Sequence, residues 1–137
     1  MRRCKYVYQI TAIDKLARVE TLIQGLKLSW FTEAIVDPGS NTVALHPTIA
    51  ELVGIREVKK ATLPTETAGG RITPNEGTID AISIFSKDLS EMLISKRHVK
   101  CLILPIPNEA ILPGVFFENC ILTFNYKNSP FELIIEL

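Results

Sequence analysis

The chain has 137 residues, 47% of them hydrophobic, with 15 basic and 15 acidic side chains and a formal net charge of zero. That length suits one domain with a real hydrophobic core, and the even charge excludes the basic excess that binding nucleic-acid phosphates requires. No apolar run approaches the roughly 20 residues that span a bilayer, and the two arginines of the opening MRRCKYVYQI lead into no long apolar segment, so the sequence predicts neither a membrane partner nor a signal peptide.

The cysteines, Cys4, Cys101 and Cys120, are odd in number and widely spaced, with no CxxC pair. That pattern predicts reduced, mostly buried thiols in a cytoplasmic protein. His46 and His98 have no ligand-spaced partners, so no metal site is expected. There is no phosphate-binding glycine loop and no cofactor is expected. Lys96, Arg97, His98 and Lys100 form the one basic cluster and read as a solvated edge. The apolar surplus of so small a domain points to a subunit interface.

In chain order, KYVYQITAI (Lys5–Ile13) reads as a strand, rich in β-branched and aromatic residues. ARVETLIQGLKLSWFTEAIVD reads as two strands around a turn at Gln24-Gly25, with Trp30 and Phe31 as core or interface packing. TVAL is a short strand. PTIAELVG is a short helix, with Pro47 near its start, Thr48 as cap and Gly54 as stop. Ile49, Leu52 and Val53 share one of its faces. From Arg56 to Phe85 the pattern is extended, and its middle, LPTETAGGRITPNEGTID, reads as a long exposed hairpin or loop. SKDLSEMLISK fits a helix by the spacing of Leu89, Met92 and Leu93, and equally a loop running into a strand, so residues 87–96 stay open. HVKCLILPI is a buried type of strand, and LPGVFFEN suggests one helical turn after Pro113. CILTFNYK and PFELIIEL are final strands joined at Asn128-Ser129. The last alternates Phe131, Leu133, Ile135 and Leu137 against Glu132 and Glu136, with Ile134 breaking the pattern. These elements predict a nearly all-β fold with one or two short helices, a small closed barrel.

Asp37 stands out. It follows the apolar Ala34-Ile35-Val36 and precedes Pro38-Gly39-Ser40. Taken alone, this is a β-turn with Asp at its first position and Pro at its second. No GxSxG motif and no local Cys–His pairing competes for a catalytic role, and Asp14, Asp80 and Asp88 lie in polar, surface-like settings. The order of elements is a strand, D-x-G-S, a short strand, a short helix ending in LVGI, a Gly-rich hairpin, a strand, and then AILPGVFFENCILTFNYKNSPFELII. It resembles the retropepsin-like aspartic proteases over Val19 to the C-terminus. Their pattern is an apolar strand, Asp-Thr/Ser-Gly-Ala/Ser, a helix near a-x-x-L-G-I, a flap hairpin, then I-L-G-x-D-F-L and L-x-F-D with a terminal strand.

The resemblance implies an all-β, acid-protease-like barrel over residues 1–137, one lobe per chain, with a flap hairpin at about residues 61–79. It implies that Asp37 is the catalytic carboxylate, that Gly39 permits close backbone approach, and that Ser40 supports substrate or carboxylate contacts. Thr67, Ala68, Gly69 and Gly70 would lie in a flap closing over a peptide or protein substrate. Ile111 and Leu112 would match the apolar pair beneath the catalytic loop. A single motif supplies a single carboxylate, whereas the reaction needs an acid and a base, so the resemblance implies a homodimer with both copies of Asp37 at a two-fold axis. Two such close carboxyls share one proton, which favours mildly acidic pH. The N-terminal and C-terminal strands are the candidates to knit the subunits together.

Two departures from the family pattern bear on activity. Pro38 stands where the family has Thr or Ser, whose hydroxyl and N–H bond across the dimer axis, and proline has neither donor. If FFEN is aligned, Pro113 replaces the family's glycine and Val115 its acidic or amide residue. If Gly114 is aligned, the glycine survives and the following residues slip by one. Two readings therefore stand: a homodimeric aspartic endopeptidase, or a catalytically impaired retropepsin-like dimer that binds peptides or partner proteins. Asp37 favours the first and Pro38 the second.

Overall fold

In the computed structural model, which describes residues 4–67 and 69–137, period-two apolar runs pair into strands that close on themselves. The elements in order are β1 (Lys5–Ile10), β2 (Arg18–Gln24), β3 (Ser29–Asp37), β4 (Val43–Leu45), α1 (Pro47–Val53), β5 (Arg56–Lys60), β6 (Thr65–Thr67), β7 (Gly70–Ile72), β8 (Asn75–Phe85), β9 (Met92–Ile103), β10 (Ala110–Pro113), a 3-10 turn (Gly114–Phe117), β11 (Ile121–Asn125) and β12 (Phe131–Glu136). Neighbouring strands run β2-β3-β10-β4-β9-β8, and β8 pairs back onto β2, so the barrel has no open edge. The pairs β3–β10 and β4–β9 are parallel and the other barrel pairs antiparallel. Inside lie Val19, Ile23, Ala34, Val36, Leu45, Ile79, Ile82, Ile84 and Leu112, all buried. Each of the valine, leucine and isoleucine side chains among them contributes about 1.5–3 kcal/mol of burial, so the barrel interior is a main source of stability. This is the small all-β barrel the sequence predicts.

A second sheet, β1-β12-β11, packs outside the barrel. Its inner face carries Tyr8, Ile10, Leu133 and Ile135, all buried, and the Tyr8 hydroxyl donates to the Phe85 carbonyl at 2.5 Å. Ile134 pairs with Val7 and Thr123 on the outer face, which is why it interrupts the alternation. Both edges of β12 are filled, by β1 and β11 of the same chain.

Several local expectations change. The first strand ends at Ile10, because the chain turns over residues 12–14, the Lys15 N–H donates to the Thr11 carbonyl and Lys15 adopts φ +59. The helix cap is His46, whose Nδ1 accepts the Thr48 N–H at 3.1 Å. Thr48 cannot serve as cap, since Pro47 already occupies the first helical position. Within the open stretch 87–96, Asp88 accepts from the Ser86 hydroxyl and from both the N–H and the hydroxyl of Ser90. These bonds close a turn that leads into β9 at Met92. They also hold the Asp88 carboxyl down at about 2, with Ser90 the largest cause. In the basic cluster, Arg97, His98 and Lys100 are exposed. Lys96 instead pairs with Glu118 at 3.2 Å and lies 5.2 Å from the centre of the Phe116 ring. Of the free cysteines, Cys101 is buried, Cys120 half-buried and Cys4 exposed, and burial pushes the Cys101 thiol up to about 12.

The β2–β3 turn is docked onto the end of α1. Leu26 donates to the Gly54 carbonyl and Lys27 to the Val53 carbonyl, each at 2.8 Å, which satisfies acceptors that a helix C-terminus leaves free. The approach is close enough that a Cβ on Gly25 would fall 2.2 Å from the Val53 oxygen and 2.8 Å from the Gly54 oxygen. Backbone atoms cannot give way as a side chain can. Gly25→Ala is therefore expected to destabilise the fold by roughly 2–3 kcal/mol in urea titration. A midpoint unchanged from the parent would mean that the turn stands off the helix.

Candidate active site

Strands β3 and β10 run side by side with Ile35 opposite Ile111, Val36 opposite Leu112 and Asp37 opposite Pro113. Both end there. Pro38 has no N–H to extend the β3 ladder, and the chain after Pro113 turns into the 3-10 turn. The Val36 N–H donates to the Ala17 carbonyl at 2.9 Å, which ties the other flank of β3 to the segment leading into β2. Ile111 and Leu112 thus flank the strand that delivers Asp37, with Ile111 lining the cleft and Leu112 fully buried in the core.

Beyond Asp37 the chain makes a tight turn. The Ser40 N–H donates to the Asp37 carbonyl and the Gly39 N–H to Asp37 Oδ1, each at 3.0 Å. The exposed carboxylate is thereby aimed by its own loop. A Cβ on Gly39 would lie 3.4 Å from that same Oδ1. The Ser40 hydroxyl donates to the Thr42 carbonyl at 2.9 Å and steers the chain into β4; it does not reach the Asp37 carboxylate. Below the turn, a Cβ on Gly114 would lie 3.3 Å from Pro38 Cα and 3.4 Å from its carbonyl oxygen. Gly114 is thus the glycine on which the turn rests, which favours the alignment that preserves it. Pro113, the residue before Gly114, is paired with Asp37, the residue before Pro38.

A cleft of about 990 Å³ opens between this turn and the β6–β7 hairpin. Asp37, Gly39 and Ser40 line one side, and Thr67 and Gly69 the other. The Thr67 hydroxyl donates to the Gly70 carbonyl at 2.7 Å across the hairpin tip. Gly70 adopts φ +114, a conformation that only glycine accepts readily, and is not itself among the residues that line the cleft. Ala68, the remaining expected site residue, lies outside the described residues. Sequence reasoning named Ile111 but missed the rest of the cleft floor, Ala44 and Leu102, and its walls Ile72, Leu104 and Ile106. The alternation of HVKCLILPI sets Leu102 and Leu104 on one face, but only the register shows which face is the cleft.

Asp37 also borders a second hollow, about 490 Å³, on its opposite flank, lined by Leu16, Ala17, Val36, Pro38, Phe124 and Tyr126 among others. The two other carboxylates of the main cleft are partnered: Glu66 with Arg71 at 2.9 Å and Glu76 with Lys59 at 3.8 Å. Among the described residues no group of three His, Cys, Asp or Glu side chains could hold a metal ion.

The chain matches the family model of the aspartyl proteases over residues 19–117. It belongs to the aspartyl protease family. The matched span runs from the start of β2 to the end of the 3-10 turn, so it takes in the Asp37 turn, the hairpin and Gly114. Among solved structures the chain is similar to a retropepsin-like aspartic protease from Rickettsia conorii, with 15% identity and a TM-score of 0.67 over 98% of this chain and 92% of that one. This likeness shows a shared fold and includes the outer sheet, which the family model does not reach. No curated protein matches significantly.

In this aspartyl protease chain the segment beside the Asp37 turn is held by charge. Asp14 accepts from the Arg18 guanidinium, the Thr11 hydroxyl and the Leu16 N–H. Arg18, the largest cause, holds the Asp14 carboxyl well below the usual carboxylate range. A folded pKa below the unfolded value near 3.9 adds stability above that pH, and the contribution is lost as pH falls through the folded value. Asp14→Asn should therefore melt at a lower temperature than the parent at pH 6, and the difference should shrink progressively as pH falls below about 4. Circular-dichroism melts across that range provide the check, and an offset equal at every pH would remove the charge linkage.

Proposed function

We propose that the protein is an aspartic endopeptidase that hydrolyses peptide bonds as a homodimer, with Asp37 of each protomer as half of the catalytic pair. One observation carries this reading: Asp37 stands on a turn at the base of a cleft, its Oδ1 held by the Gly39 N–H, with a hairpin across from it. In such a pair one carboxylate takes a proton from water as it attacks the scissile carbonyl, while the protonated partner donates to the carbonyl oxygen. The departing amine then leaves with a proton. The β6–β7 hairpin, Thr67 and Gly69 included, acts as the flap over a bound peptide, and Gly39 and Ser40 border the peptide from below. The chemistry calls for no cofactor.

The second hollow supports the dimer. It lies against Asp37 and is bounded by Leu16, Phe124 and Tyr126, while the adjoining loop exposes 98% of Ile13. Covering such side chains with a second copy removes apolar surface from water. Because β12 is paired on both sides, strand pairing between subunits falls to the outer edges of β1 and β11. No helix among the described residues is long and apolar enough to cross a membrane, and the free cysteines fit a reducing, cytoplasmic setting.

Pro38 favours a second reading, a catalytically impaired dimer of the same shape that binds peptides or partner proteins. Incubation with an unfolded polypeptide at pH 3–6 separates the two. The parent is expected to cleave, and Asp37→Asn to lose activity by roughly 10²–10⁴-fold. Equal inertness of both rejects the enzyme and leaves the binding module.

The weakened grip between turns has its own test. Pro38→Thr restores an N–H and a hydroxyl in each subunit, four bonds per dimer at roughly 1 kcal/mol each. Sedimentation should show a dimer that persists at lower protein concentration. An unchanged dissociation constant would mean that the two turns do not meet.

A further inference from the structure

We propose that Glu76 is a specificity-determining residue of the cleft, selecting a peptide that carries a lysine or arginine side chain a short distance from the bond to be cut. The inference rests on the endopeptidase reading above and deepens it.

The strand register builds the cleft floor as a row. Glu76 of β8 is paired with Leu102 of β9, Leu102 with Ala44 of β4, and Ala44 with Ile111 of β10. Directly paired residues on adjacent strands point to the same face, and all four line the cleft. The row therefore passes from an aliphatic side chain beside the Asp37 strand, over a small residue and a leucine, to a carboxylate at the far end. At about 4.8 Å between strands the row spans about 14 Å of sheet, less where the barrel curves. An extended peptide covers that distance in roughly two to four residues.

The floor matches the anatomy of a long basic side chain. Its methylene stem lies over Leu102 at the far end of the row with its charged head at Glu76, the arrangement such side chains adopt when only their head needs a polar partner, while neighbouring peptide residues cover Ala44 and Ile111. The charge of the cleft points the same way. The described lining residues include Asp37, Glu66 and Glu76 and no Lys, Arg or His. Like-signed groups in a concave site concentrate ions of opposite sign.

Glu76 is also free to exchange partners. Its nearest cation, Lys59, is 3.8 Å away on a side chain 73% exposed, and the Glu76 side chain is itself 36% exposed. An exposed contact of that length is weak and gives way to a cation held over the floor. Glu66, by contrast, is engaged by Arg71 at 2.9 Å within the hairpin.

The test uses the full chain with Asp37→Asn, so that bound peptides are not cut. Fluorescent octapeptides with one lysine moved along the sequence are compared with matching glutamine peptides. At one register the lysine peptide should bind about tenfold more tightly, and added salt should reduce the advantage. Introducing Glu76→Gln should abolish the preference while leaving the glutamine peptides unaffected. Glu76→Lys should transfer the preference to a peptide with glutamate at that register. Equal binding of lysine and glutamine peptides at every register, or a preference that survives Glu76→Gln, overturns the role of Glu76 and leaves the cleft as a peptide site. Failure of every peptide to bind overturns the endopeptidase reading as well.

Discussion

The structure turns on the parallel pairing of β3 with β10. A parallel pair cannot be made by a hairpin; it requires a long connection, and here the whole of β4 through β9 lies between the two strands. The reward for closing so long a loop is positional. Two strands that terminate together, at Asp37 and Pro113, leave a carboxylate on a buried base rather than on a mobile loop. Leu112 fills the space beneath and Gly114 lets the turn settle onto its support. Any change that separates the two strand ends moves Asp37, because its aim depends on a hydrogen bond from its own loop.

Barrel closure serves the same end. With β8 paired to β2 as well as to β9, the strand that carries the hairpin is anchored along both edges. The hairpin continues beyond the barrel on β5 and β8, and the Ala61 N–H donates to the Pro74 carbonyl at 2.8 Å below the tip. Rigid anchoring at the base and a two-stranded tip of only three residues per strand set where motion can occur. The tip has few partners, so its pairing is cheaper to disrupt than that of the barrel strands beneath it.

Much of this was readable from single residues. β3 runs into Asp37 because an apolar run meets Pro38, the helix stops at Gly54, and the chain coils briefly after Pro113; each is a local rule with a local signal. The His46 cap was not readable, since histidine is an unusual cap and Thr48 is a common one. The turn at Ser86–Glu91 was ambiguous because Leu89, Met92 and Leu93 fit helical spacing, and the side-chain bonds of Asp88 decide otherwise. The floor of the cleft was least visible. Alternation tells that Leu102 and Leu104 share a face, but only pairing across three strands puts Leu102 beside Glu76 and Ala44. Register is a non-local quantity, and a shift of one residue would turn the same side chains to the opposite face.

The two prolines at the site are better understood together than apart. In the proposed dimer a threonine at position 38 would hold its loop through bonds to the partner subunit, so the turn would be well positioned only after assembly. Pro38 instead fixes one backbone dihedral within the chain, and the Gly39 and Ser40 N–H groups bond back to Asp37. Gly114 lies against Pro38 from below, and Pro113, the residue before it, ends the supporting strand at the same level. The positioning that a dimer would supply is thus partly transferred into the protomer. Stiffening the loop reduces the entropy lost when the turn is ordered, but it cannot provide a second carboxylate. In the proposed dimer such a preformed turn would lower the demand on the subunit interface without removing the need for one, and the apolar flank of Asp37, rather than bonds between the turns, would supply that interface.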